Sequence, residues 1–89
     1  MTRAAAPDIL TKTASGRTLL FTLEAGNVIP PHRHAHAQVT IAVLSGEVEV
    51  TTAEVRTLNG GEVLTHAGDA EVSMHARQDS RVLVCLLNE

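Results

Sequence analysis

Turn-forming residues punctuate this chain at intervals of roughly ten positions, and nothing between them repeats with a helical period. Ser15-Gly16, Ala25-Gly26-Asn27, Ser45-Gly46, Asn59-Gly60-Gly61, Ala67-Gly68-Asp69 and Gln78-Asp79-Ser80 are the breaks, and short runs rich in Val, Leu, Ile and Thr fill the gaps. The pattern predicts an all-β sandwich or barrel. Strands are expected near 9–13, 18–24, 33–44, 47–52, 54–58, 62–66, 71–77 and 81–87. Alternation is clearest in Glu47-Val48-Glu49-Val50, with valines on one face and carboxylates on the other. Asn59-Gly60 offers the two positive-φ positions of a tight hairpin turn. Residues 1–8 read as a flexible lead-in and residues 9–89 as one domain, with no internal repeat or linker.

A chain of 89 residues buries only about 60 to 65 % of the surface its unfolded form exposes, so its stability is thin. Its hydrophobic content is supplied by Val, Leu and Ala, with Phe21 as the only aromatic ring among Phe, Tyr and Trp. The core must therefore be aliphatic, and few flat faces are left to grip a sugar or a base. A net charge of -3 with scattered arginines leaves no footprint for a nucleic-acid backbone. No apolar run approaches the ~20 residues that span a bilayer, and the N-terminus lacks the apolar core of a signal peptide. No membrane partner is expected, and the cytoplasm is the default compartment. The single cysteine, Cys85, excludes an internal disulfide and reads as a buried, inert thiol within Val82-Leu83-Val84-Cys85-Leu86-Leu87.

Chemistry concentrates in the stretch PHRHAHAQ, residues 31–38, where His32, His34, His36 and Gln38 occupy every second position. Residues two apart on a strand share a face and lie about 6.6 Å apart, so the imidazoles of His32 and His34 can lean toward one point. A metal would accept each nitrogen at about 2.0 to 2.1 Å. From His34 to Gln38 a flat strand runs about 13 Å, too far for one compact site, so a bend or bulge is required near Ala35 to Ala37 if Gln38 is to join. Pro30-Pro31 cannot donate to a sheet ladder and should bring the chain in at an edge or rim.

The glycine and histidine spacing resembles that of the cupin superfamily, small jelly-roll barrels of the double-stranded β-helix type. Gly26, five residues, His32-Arg33-His34, three residues, Gln38, seven residues and Gly46 match the first cupin motif. Gly60, five residues, His66-Ala67-Gly68, two residues, Glu71, three residues and His75 match the second. The likeness covers about residues 17–87. It implies a barrel whose two motifs bring three histidines and a glutamate around iron, manganese, nickel, zinc or copper. His32 and His34 match the first two ligands. Gln38 replaces the glutamate, with Val39 competing for the position because the spacing to Gly46 is one residue longer. Glu71 stands where the second motif has its histidine, and His32, His34 and Glu71 would form a facial triad that suits divalent iron. His75 is a further candidate ligand or supporting partner, as are His36 and His66.

Val39-Thr40-Ile41-Ala42-Val43-Leu44 is apolar on nearly every position and needs cover on both sides. A second copy of the chain, packed as a homodimer, is the expected cover; an N-terminal strand of the same chain is the alternative. The leading expectation is a divalent-metal cupin that binds or acts on a small molecule, with dioxygenase-like or isomerase-like chemistry implied by family analogy alone. A non-catalytic binding or sensing module and a metal-free structural barrel are the other two readings.

Overall fold

A computed structural model describes residues 2–89. It contains nine strands and no helix among the described residues: β1 (Asp8–Thr13), β2 (Gly16–Leu23), β3 (Val28–His32), β4 (Ala37–Ser45), β5 (Glu47–Thr51), β6 (Val55–Asn59), β7 (Val63–Ala67), β8 (Val72–Ala76) and β9 (Ser80–Asn88). They form two antiparallel sheets, one ordered β1-β2-β9-β4-β7 and the other β3-β8-β5-β6. The expected all-β class holds. Among the described residues no helix is long and apolar enough to cross a membrane.

Period-two alternation builds the interior. Val39, Ile41 and Val43 on β4 meet Leu86, Val84 and Val82 on β9, and all six are buried. The second sheet supplies Val48, Val50, Leu58, Val72, Met74 and Ala76, with Phe21 packed against this cluster at its margin. The core is aliphatic, as the composition requires. On β5 the valines are fully buried and the carboxylates half-buried on the opposite face, where Glu49 pairs with Arg77.

Three expectations are corrected. The strand expected over 33–44 is two elements, since β3 ends at His32, a turn covers Ala35 and His36, and β4 starts at Ala37. Asn59-Gly60 does not close a hairpin. β6 and β7 lie in different sheets, and the connecting turn takes its positive φ, 92°, at Gly61. Cys85 is half-buried on the outer face of β9, because alternation turns Val84 and Leu86 inward. Before β1, Arg3 bridges Val28, and backbone bonds join Ala4 to Val28 and Val28 to Thr2.

Candidate metal centre

The first-motif histidines are aimed by a bulge rather than by alternation. In the β3–β8 register Ile29 faces Met74 and His32 faces Val72, so three steps on β3 match two on β8. The extra residue falls at Pro30-Pro31. Strict alternation from buried Ile29 would turn His32 outward; one extra residue turns it in. Two prolines are tolerated there because β3 is the sheet's edge and one side of its backbone needs no partner.

A turn carries His34. Its N–H donates to the Gly68 carbonyl at 2.8 Å, its carbonyl accepts from Ala37 N at 3.1 Å, and Gly68 N donates to Ala37 O at 2.8 Å. Gly68 is required at this contact, since a Cβ there would sit 2.0 Å from the His34 carbonyl oxygen. His36 takes φ 62° to complete the turn, a conformation His adopts more readily than most residues. Its side chain is exposed.

His32 and His34 stand edge to face, ring centroids 4.7 Å apart at 87°. Both line a small, partly open interior cavity of about 40 Å³ with Leu19, Phe21, Ile29, Val39, Ile41, Val72, Met74 and Val84. Nδ1 of His32 lies 2.9 Å from the Pro30 carbonyl. A carbonyl only accepts, so this nitrogen carries the proton and Nε2 presents a lone pair. Burial, then the neighbouring His32, Arg17 and His66, hold the pKa of His34 below its ordinary value. The ring is therefore kept neutral at pH 7, as a metal ligand must be.

A third imidazole faces the same way. His66 lies opposite buried Val39 in the β4–β7 register, on the inward face. Its Nδ1 donates to the Ala67 carbonyl at 2.8 Å, while Nε2 is buried without a partner. An orphaned buried acceptor is costly, and a cation would satisfy it. The sequence names His66 only as one of several alternative ligands; the signal for its inward face is its place two residues after Leu64, which faces Ile41.

The other predicted residues do not join. Gln38 is exposed, because Ala37 and Val39 take the inward positions on β4. Glu71 precedes β8, whose inward side chains are Val72, Met74 and Ala76. Its side chain is 55 % exposed and 3.9 Å from Arg33, itself 63 % exposed. His75 lies outward, across from Glu49. The break in the chain does occur, yet the bulge that aims His32 precedes the histidines and does not deliver Gln38. Among the described residues no three His, Cys, Asp or Glu side chains stand close enough to hold an ion as they are.

Several solved structures share this architecture. An RmlC-like cupin protein from Desulfovibrio desulfuricans is 26 % identical, with 96 % of this chain and 82 % of that one covered and a TM-score of 0.87. KdgF from Halomonas sp. is 22 % identical, with 93 % and 79 % covered and a TM-score of 0.85. The chain has the cupin fold. The cupin domain of Schizosaccharomyces pombe Cnp3 is a further match at 18 % identity, 93 % and 60 % coverage and a TM-score of 0.85. No family model and no curated protein matches the sequence. The barrel's inward histidines thus lie within a cupin scaffold, while the carboxylate that the sequence motif implies lies outside it.

Proposed function

We propose that this cupin barrel binds one divalent transition-metal ion on His32 and His34, with His66 closing on them as the third imidazole. The observation that carries the reading is the orphaned Nε2 of His66, buried on the inward face and near enough to His34 to help lower its pKa. The donor set fits such an ion in kind: three neutral nitrogens and no carboxylate suit zinc, copper, nickel or divalent iron better than manganese. It does not support a two-histidine, one-carboxylate triad, because Glu71 lies outside. When bound, the ion would offer Lewis-acid chemistry at its open positions. The chain's own part is to fix the His32 tautomer through Pro30, keep His34 neutral and line the inner side of the site with aliphatic walls. The test is elemental analysis of protein purified without a histidine tag and incubated with Zn(II), Ni(II) or Fe(II). About one ion per chain is expected, with uptake lost on combining His32→Ala and His34→Ala. No uptake, or uptake that survives the double substitution, overturns the assignment.

One observation favours binding over turnover as the role of the site. The interior has room for only a few water-sized groups, and among the described residues its lining offers no acid or base besides the imidazoles. The reading also includes a second copy of the chain. Leu20, Leu83, Ala42 and Val63 run in register across the outer face of the larger sheet, and β1 extends the sheet's edge beside β2 rather than covering β4.

A further inference from the structure

Two cations face each other beside the histidine cavity with nothing acidic between them. Lys12 on β1 lies directly opposite Arg17 on β2, and Arg17 lies opposite buried Leu86 on β9. Residues opposed in a register share a face, so both side chains lie on the barrel's inward side, at its rim beyond Leu19 and Phe21. Like charges directly opposed on one face repel and destabilise the pair. The chain as a whole is acidic, with 10 Asp and Glu against 7 Lys and Arg, yet among the described residues neither cation has a carboxylate within ion-pair distance.

Lys12 and Arg17 line an open recess of about 290 Å³ together with His34 and Asn88. No Asp or Glu lines it. The neighbouring polar groups are already engaged: the Thr13 hydroxyl closes the β1–β2 turn with Gly16 and Ser15, and the Asn88 amide donates to the Ala14 carbonyl. His34 belongs both to this recess and to the interior cavity of about 40 Å³. The interior is too small for an organic molecule, whereas the recess is not and shares His34 with it, so a ligand seated in the recess lies against that imidazole.

We infer that the recess is an anion subsite that takes a small organic carboxylate, its oxygens on the Arg17 guanidinium and the Lys12 ammonium and its adjoining polar group turned toward His34. A guanidinium fork matches the two oxygens of a carboxylate, and Lys12 adds a point charge from the side. This subsite goes beyond the metal reading and does not rest on it, because it needs only the cations and the shape of the recess.

The test is calorimetric titration of the metal-free protein at constant ionic strength with malonate, succinate and inorganic phosphate. Saturable binding of a dicarboxylate is expected, weakened at least about tenfold by Arg17→Gln combined with Lys12→Gln. Arg56→Gln, an exposed arginine on β6 in the other sheet, should leave the affinity unchanged. No saturable carboxylate binding, equal weakening by Arg56→Gln, or tighter binding of phosphate than of either dicarboxylate overturns the proposal. Carboxylate binding that persists in a protein taking up no metal would separate this subsite's success from the metal reading's failure.

Discussion

His34 ties the chemistry of the site to pH. In the unfolded chain it titrates near 6.5, and in the fold burial first, then His32, Arg17 and His66, lowers that value. Between the two values the unfolded state binds more protons. Its contribution to stability is therefore intact above about 6.5 and is lost as pH falls through the lowered folded value. Urea unfolding of metal-free protein should show a steeper loss of stability between pH 7 and pH 5 than the His34→Gln variant; parallel curves would contradict this. Metal binding follows the same sign, since each imidazole must be deprotonated. A ligand at about 100 times its dissociation constant stabilises by about 2.7 kcal/mol. At about 4 to 8 °C per kcal/mol for a domain this small, Zn(II) should raise the Tm at pH 7.5 by more than about 10 °C and have little effect near pH 5. At this scale the sequence told much about His32 and His34, because they sit in a spaced motif. It told little about His66, whose direction depends on a cross-strand partner far away in the chain, Val39.

At the scale of the element, the site depends on two local departures from regular strand. The bulge at Pro30-Pro31 turns His32 inward, and the turn through His36 is clamped against Gly68. Gly68→Ala would place a Cβ 2.0 Å from the His34 carbonyl oxygen and 2.7 Å from that of Ala37. Both atoms are backbone, so the clamp must open. The substitution should cost roughly 1–3 kcal/mol by thermal or urea unfolding and weaken metal uptake as well. Stability and uptake equal to those of the parent would show that the turn does not depend on this contact. His-x-His-x-His mimics the alternation of a strand, which is why one strand is expected over 33–44. The turn that interrupts it is stabilised by Gly68, Asp69 and Glu89, all distant in sequence. The glycine-marked breaks and the Glu47–Val50 alternation depended only on neighbours and were legible. Gln38, Glu71 and His75 face away from the cavity, which the sequence could not show, because motif spacing counts residues whereas facing depends on where bulges fall.

For the whole molecule, an aliphatic core of modest size holds two sheets together, so single buried side chains matter. Ile41, fully buried between the sheets, should cost about 2–5 kcal/mol when replaced by Ala, a large share of what a domain this small has. The apolar row Leu20, Leu83, Ala42 and Val63, with Leu87 and Val63 each 54 % exposed, predicts a dimer mass by light scattering at micromolar concentration; a single-chain mass would contradict it. The barrel itself was legible from turn spacing and alternation, while the cover of its outer face was not, since a sequence shows an apolar face without showing what meets it. The central claim is that the first-motif imidazoles and His66 converge inside the barrel on one ion. X-ray absorption at the metal edge of the Zn(II)-loaded protein tests it most directly. The account predicts three imidazole nitrogens at about 2.0 to 2.1 Å, falling to one in the His32→Ala, His34→Ala variant if any metal remains. A first shell of carboxylate oxygens, or one unchanged by that double substitution, would contradict it.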